Sequence, residues 1–421
     1  MKATIVPSKL KAYEIMIPPS KSLAHRAVIC AALAKGHSRI DNIDYSVDIK
    51  ATLSAMEVLG AKIIYGKDYV EIDGTDSLDK VEKLMVDCQE SGSTLRFLIP
   101  LFSLCNTQVT FTGKGRLMQR PQSIYEQLFE ENGHPLKRTE NALVVTGPVK
   151  GGEIHLRGDV SSQFISGLLF TLPLLKEDSK IIIEGPFESR SYVDLTVDML
   201  KKFGIQIHMK DRMIDIPGNQ SYACAHVRVE ADYSQLAFYA ALGILNGPLT
   251  CLGLNADTKQ GDRAIVTFIE QMNGFVERFD DLITFNKSSL RGCVIDLSDC
   301  PDLGPALMML ASFAQGETKI INAGRLRIKE SDRILAMETE LKKCGVQIHS
   351  SEDTVWIQGR TKWHPAEVIS SHNDHRIVMA MAIGAVISEV PVTIEGAESI
   401  RKSYPGFFDD LKQLGVEVHV E

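Results

Sequence analysis

The stretch Pro19-Ser20-Lys21-Ser22-Leu23-Ala24-His25-Arg26, followed by the small apolar run from Ala27 to Ala34, decides the fold because its construction returns five more times. A polar cluster, a helix-length apolar run and a β-rich run start again at Ser91-Gly92-Ser93, Ser161-Ser162-Gln163, Asp232-Tyr233-Ser234, Asp302-Leu303-Gly304 and Asn373-Asp374-His375. The markers Ser20, Ser91, Ser161, Asp232, Asp302 and Asn373 stand 70 or 71 residues apart. A second ruler agrees: Gly60, Gly133, Gly204, Gly274, Gly345 and Gly415 each stand where a second helix gives way to a strand, and each reads as the C′ residue of that helix. Self-similarity on this scale divides nearly the whole chain into six repeats.

Within a repeat the order reads helix, strand, helix, then strands. Ala24, Ala27, Val28, Ala31 and Ala32 suggest a tightly packed buried helix, and Arg39-Ile40-Asp41 marks the strand after it. Asp48 is expected to cap an amphipathic helix with Ile49, Leu53 and Met56 on its apolar face. Lys62 to Tyr65 and Tyr69 to Ile72, joined by Gly-Lys-Asp, form an expected hairpin. The class is therefore α/β or α+β. The sixth copy stops at Glu421 without its final strands, while Thr4-Ile5-Val6 and Tyr13 to Ile17 resemble the missing piece, so residues 1–19 are expected to complete the sixth repeat. With three repeats per half, the domains are residues 20–230, and 1–19 together with 231–421.

Composition bounds the rest. A 421-residue chain that is 44% hydrophobic is long enough for two full cores. No apolar run approaches a membrane span and Met1 to Ser20 has no cleavable apolar region, so a cytoplasmic protein is expected. The eight cysteines form no C-x-x-C pair and read as reduced thiols. A net charge of -8 gives no basic footprint for nucleic acid, so an anionic ligand needs locally concentrated Lys and Arg.

That concentration falls at the starts of the apolar helices. Unpaired N–H groups and a partial positive charge make Ser20-Lys21-Ser22 and Ser91-Gly92-Ser93-Thr94 suitable for phosphate or carboxylate, and Gly92 permits close approach to the backbone. One such serine is an ordinary N-cap; six clusters in register, several beside Lys21, Arg26, Arg96, Arg120, Arg333, Arg376 or Lys402, ask for a ligand. Lys329-Glu330-Ser331-Asp332-Arg333 packs two cations with two carboxylates ahead of an amphipathic helix, and Asp302 reads either as an N-cap or as a base. No P-loop, dinucleotide fingerprint or H-E-x-x-H is present, so no metal and no cofactor are expected.

Pro19-Ser20-Lys21-Ser22 with Arg26, Lys329 to Arg333, Asn373-Asp374-His375-Arg376 and Lys402-Ser403-Tyr404-Pro405 resemble motifs of the 5-enolpyruvylshikimate-3-phosphate synthase family of enolpyruvyl transferases. The likeness spans essentially the whole chain. It implies a two-domain inverted α/β barrel, three repeats per domain, closing around shikimate 3-phosphate and phosphoenolpyruvate, with the first domain mainly on the shikimate side. By motif match, Lys21, Ser22, Arg26, Ser161, Ser162, Gln163, Ser189, Tyr192, Asp302 and Lys329 would hold shikimate 3-phosphate. Lys21, Gly92, Arg120, Gln163, Arg333, Arg376 and Lys402 would hold phosphoenolpyruvate. Asp302, Glu330 and Lys21 are the candidates for acid, base and charge-stabilising roles. The implied partners are those small molecules, with neither nucleic acid nor membrane, and a monomer is expected.

The chain departs from the family at Pro19, where glycine is usual, at Glu90 and Arg325, where asparagine is usual, and at Phe97, where many glyphosate-sensitive members carry proline. A carboxylate at Glu90 should point away from an anion site or pair with a cation. The related transferase acting on UDP-N-acetylglucosamine usually has Lys-Asn at Lys21-Ser22 and a reactive cysteine in the loop that here reads Gly115 to Arg120. A non-catalytic repeat scaffold would account for the period but not for unequal charged motifs in different repeats.

Overall fold

The chain, described from a computed structural model over residues 1–75, 77–80, 82–360 and 362–421, divides into two compact units. One is Pro19–Val229; the other joins Met1–Pro18 to Glu230–Glu421. Each unit carries two helices per repeat. In the first they are α1 (Lys21–Leu33), α2 (Val47–Leu59), α3 (Gly92–Phe102), α4 (Ser123–Glu131), α5 (Ser162–Thr171) and α6 (Arg190–Lys202). In the second they are α7 (Tyr233–Asn246), α8 (Ala264–Gln271), α9 (Gly304–Ala311), α10 (Arg333–Lys343), α11 (His375–Val386) and α12 (Phe407–Gln413).

The odd-numbered helices are apolar nearly all round and are buried nearly all round: every residue of α9 and of α11 is buried, and so is α1 from Leu23 to Leu33. The even-numbered helices bury one face, as their 3.6-residue periodicity requires. Each unit has its own hydrophobic core, in which these helices pack against the inner faces of the sheets. The sheets alternate buried and exposed residues along their strands, as in Gly152–Arg157, so helices lie inside and strands outside.

Among the described residues the strands form six four-stranded sheets with one recurring order. In the second repeat Leu84–Asp87 runs parallel to Val109–Thr112, which pairs antiparallel with Ala142–Val145, which pairs with Lys137–Arg138. The buried helix makes the crossover between the two parallel strands, and the amphipathic helix leads into the antiparallel hairpin. The expected first-repeat hairpin is present, with Lys62 opposite Asp73 and Tyr65 opposite Val70.

Three expectations need correction. The N-terminal segment does not serve the sixth repeat alone: Lys2–Val6 lies between Val392–Glu395 and Glu417–Val420 in that sheet, whereas Glu14–Met16 runs parallel to Leu249–Leu252 in the fourth. The two first strands are exchanged between repeats: Glu14–Met16, ahead of α1, pairs with the strand that follows α7, and His226–Arg228, ahead of α7, pairs with His37–Asp41, which follows α1. Asp48 is not an N-cap. Ser46 caps α2 by accepting from Ile49 N, and Asp48 is drawn instead to Lys21. Of the six helix-ending glycines, five have positive φ, but in the fourth repeat Asn273 takes that conformation at φ 68° and Gly274 does not. A Cβ at Gly274 would lie 2.4 Å from Ile269 Cγ2, so that glycine serves close approach.

Candidate active site

In the first unit the cations stand at the starts of α1, α3 and α5. Ser20 caps α1, accepting from Leu23 N, and so places Lys21 in the first turn. Lys21 Nζ lies 2.6 Å from Asp48 Oδ2, a carboxylate held by the first turn of α2. Arg26, one turn into α1, is 2% exposed. Its Nε donates to Thr196 Oγ1 (2.8 Å), Nη1 to Ser22 O (2.6 Å) and Nη2 to Tyr192 O (2.9 Å), so it ties α1 to the start of α6. Burial lowers the Arg26 pKa to about 10, against smaller opposing effects from Tyr192 and Cys30. Ser189, ahead of α6, is buried and holds a left-handed backbone at φ 52°, a conformation that costs a non-glycine residue about 1 kcal/mol or more.

Arg96 organises the next pair of helices. It is 2% exposed, its Nη1 donates to Gln163 Oε1 at 2.9 Å and its Nη2 to Pro121 O at 2.8 Å. Gln163 then donates from Nε2 to Ser93 Oγ at 3.0 Å, and Ser161 caps α5 by accepting from Gln163 N. The helices approach closely because Gly167 has no Cβ: one added there would lie 2.4 Å from Arg96 O. The Tyr125 hydroxyl locks the junction, 2.8 Å from Arg96 O and 2.9 Å from Phe164 O.

Arg120 is the informative cation. It is 7% exposed, yet among the described residues its buried Nε has no hydrogen-bond partner and its guanidinium makes no ion pair. It sits over Gly92 at the start of α3, where an added Cβ would meet Arg120 Nη1 at 2.4 Å. A buried, unmatched positive charge above helix N–H groups costs several kcal/mol unless an anion arrives to meet it. Glu90 lies against the loop that leads to Arg120: a Cβ added at Gly115 would lie 2.4 Å from Glu90 Oε2.

In the second unit one carboxylate gathers three cations. Asp302 lies in the short 3-10 turn Pro301–Leu303 ahead of α9 and makes no side-chain cap there. Its Oδ1 accepts from Lys329 Nζ and Arg333 Nη1, both at 3.2 Å, and its Oδ2 from Arg376 Nη2 at 3.1 Å. Burial pushes this carboxyl upward, but Arg376, Lys329 and Arg333 together outweigh it and hold the group well below the usual carboxylate range. Burial also lowers Lys329, with Asp302 opposing the shift. Arg333, 1% exposed, additionally meets Glu330 Oε2 (2.7 Å) and Asp374 Oδ2 (2.8 Å). Asp374, wholly buried, caps α11, accepts from Arg376 N and from Ser331 Oγ, and so fixes both arginines. Ser234 Oγ accepts from Arg376 Nη2 at 3.0 Å, and Lys402 Nζ donates to Asn373 O at 2.6 Å.

A sequence model of the family described as EPSP synthase (3-phosphoshikimate 1-carboxyvinyltransferase) matches residues 6–411. The chain belongs to the EPSP synthase family. The 3-phosphoshikimate 1-carboxyvinyltransferase of Clostridium perfringens is 46% identical over 418 residues, covering 98% of each chain, and that of Clostridium acetobutylicum is 47% identical over 412 residues, covering 96% of each. Among solved structures, an EPSP synthase from Acinetobacter baumannii matches 100% of this chain and 99% of its own with a TM-score of 0.81 at 24% identity. The enolpyruvyl transferase NikO from Streptomyces tendae matches 99% and 98% with a TM-score of 0.79 at 16% identity. These two likenesses concern the fold, the two-domain inverted α/β architecture.

The expected site residues fall into two groups. Lys21, Ser22, Arg26, Gly92, Arg120, Ser161, Ser162, Gln163, Ser189 and Tyr192 lie in the first unit; Asp302, Lys329, Glu330, Arg333, Arg376 and Lys402 lie in the second. Of the residues that hold them, the sequence named Arg96, Ser234 and Asp374 only within polar clusters and Asp48 only as a cap, and passed over Thr196; the structure sets Asp48 on Lys21, Thr196 on Arg26, Arg96 on Gln163, Asp374 on Arg333 and Ser234 on Arg376. Arg325, where the family usually has asparagine, turns its Nη2 to Ser298 O at 2.5 Å. Among the described residues no His, Cys, Asp and Glu group has the arrangement of a metal site, and no helix is long and apolar enough to cross a membrane.

Proposed function

We infer that this EPSP synthase family member transfers the enolpyruvyl group of phosphoenolpyruvate to the 5-hydroxyl of shikimate 3-phosphate, releasing phosphate, in the shikimate pathway to chorismate and aromatic amino acids. The observation that supports the site assignment is Arg120, whose buried Nε has no hydrogen-bond partner among the described residues, above Gly92 and the start of α3. Phosphoenolpyruvate supplies the anionic groups that Lys21, Arg120, Gln163, Arg333, Arg376 and Lys402 would bind. Ser22, Arg26, Ser161, Ser162, Ser189, Tyr192 and Lys329 would hold shikimate 3-phosphate.

The chemistry is addition followed by elimination. The 5-hydroxyl oxygen bonds to carbon 2 of phosphoenolpyruvate while carbon 3 gains a proton; the tetrahedral intermediate then loses a proton from carbon 3 as the bond to phosphate breaks. Asp302 takes the hydroxyl proton, Glu330 exchanges the proton at carbon 3, and Lys21 stabilises or protonates the departing phosphate. Asp302 is a weak base while three cations face it. Binding of phosphoenolpyruvate turns Arg333 and Arg376 toward the ligand's charge and raises the basicity of Asp302 when the hydroxyl needs it.

Phosphate release is measured with phosphoenolpyruvate and, in parallel, shikimate 3-phosphate, UDP-N-acetylglucosamine or no acceptor, in buffer containing a chelator. Release with shikimate 3-phosphate alone is the expected result. Release only with the UDP sugar would overturn the acceptor, and silence in all tubes from folded protein would overturn the enzymatic reading. Sedimentation of the same preparation tests the expected monomer.

A further inference from the structure

Beneath the start of α3 runs a chain of buried side chains that the reaction does not use directly. His25 Nδ1 lies 2.7 Å from Thr52 Oγ1, Thr52 Oγ1 lies 2.7 Å from Thr94 Oγ1, and Thr94 Oγ1 donates to Ser91 Oγ at 2.7 Å. His25, Thr52 and Thr94 are fully buried and Ser91 is 1% exposed. The chain parallels the Lys21–Asp48 pair, because His25 follows Lys21 and Thr52 follows Asp48 by one helical turn, making a second rung between α1 and α2.

Heavy-atom angles make Thr94 the donor to Ser91, and counting hydrogens carries that direction along the chain. A threonine hydroxyl has one hydrogen, and that of Thr94 is given to Ser91. The 2.7 Å contact between the two threonines is then a hydrogen bond only if Thr52 donates to Thr94. With its own hydrogen so used, Thr52 must accept from His25, so the ring carries its hydrogen on Nδ1. His25 is neutral, since burial, with Lys21 and Arg26 adding to it, holds its pKa well below the ordinary value. Its Nε2 is then a bare acceptor, buried with no partner among the described residues. At the other end Ser91 Oγ accepts twice, from Thr94 Oγ1 and from Thr94 N at 3.1 Å, and its own hydrogen has no acceptor among the described residues.

We propose that His25 is a positioning residue whose Nδ1–H tautomer aligns Thr52 and Thr94 so that the Ser91 hydroxyl donates its hydrogen to the anionic ligand held at Gly92 and Arg120. The proposal rests on the reading of that anion site. It makes Ser91 a binding residue for phosphoenolpyruvate, not only the N-cap of α3.

The first test does not depend on turnover. In protein labelled with 15N-histidine, the His25 resonances, assigned by their loss in His25→Gln, should show hydrogen on Nδ1 and none on Nε2. An Nε2–H tautomer, or a protonated ring at neutral pH, would overturn the proposal. The second test is kinetic. Thr52→Val removes the middle donor and lets the Ser91 hydrogen rotate back to Thr94. The KM for phosphoenolpyruvate should rise about tenfold, with kcat and the KM for shikimate 3-phosphate changing far less, because one hydrogen bond to a charged group is lost. Thr52→Ser restores the hydroxyl and should rescue the value, which a packing role for the Thr52 methyl would not do. Equal losses for the valine and serine variants would overturn the relay. If the wild-type enzyme shows no use of phosphoenolpyruvate, the site reading fails separately, and the tautomer measurement still decides the chain's polarity.

Discussion

Replacing Asp302 by asparagine should slow the enzyme and tighten its grip on phosphoenolpyruvate together. Asp302 is the common anion of Lys329, Arg333 and Arg376, at 3.1 to 3.2 Å from each. A ligand anion on the far edge of the same guanidinium groups would lie about 6 Å away, where two unit charges repel by about 2.8 kcal/mol at an effective dielectric of about 20. The Asp302 side chain is 21% exposed, and halving that figure for solvent leaves about 1.4 kcal/mol, or about tenfold tighter binding in the variant. Loss of the base should lower kcat by about 100-fold or more. Calorimetric titration of phosphoenolpyruvate into the complex with shikimate 3-phosphate, beside single-turnover kinetics, reads both quantities. The variant also leaves three cations facing one another, so its melting temperature should fall and the ligand should restore more of it than in the wild type. Because folding depresses the Asp302 pKa, its contribution to stability is present above the unfolded value near 3.9 and is lost as pH falls through the folded value; Asp302→Asn should lack that part of the acid loss. Turnover within about threefold of wild type, or binding weakened tenfold, would refute the reasoning.

Glu330→Gln should lower turnover by about 100-fold while ligand binding stays measurable by titration, as for removal of a proton-transfer group. Gly92→Ala would bring a Cβ to 2.4 Å from Arg120 Nη1 and displace that side chain, so the KM for phosphoenolpyruvate should rise about tenfold or more in steady-state assays, with shikimate 3-phosphate affinity little changed. Arg96→Lys cannot span Gln163 and Pro121 at once; kcat/KM should fall about tenfold and thermal unfolding should shift down, since a buried planar fork is lost.

The amino-acid sequence by itself determined whatever is local or periodic. The repeat, the alternation of buried and half-buried helices, the polar helix starts at Ser20, Ser91 and Ser161, and the Lys62–Asp73 hairpin all rest on contacts within a few residues or on a spacing that recurs. Family motifs named the charged residues as well. What only the tertiary structure decided is which of several chemically equivalent partners each charge meets. Asp48 could cap its own helix as readily as bind a lysine, and it binds Lys21 because α1 and α2 pack side by side. Glu14–Met16 could pair in either of two sheets, and it enters the fourth because the parallel crossover there lacked its first strand. Asp302, ambiguous between cap and base along the chain, becomes the centre of three cations only when the starts of α9, α10 and α11 converge. Helix starts are written in sequence, but their convergence is fixed by packing between segments tens of residues apart, and electrostatic partners follow distance in space.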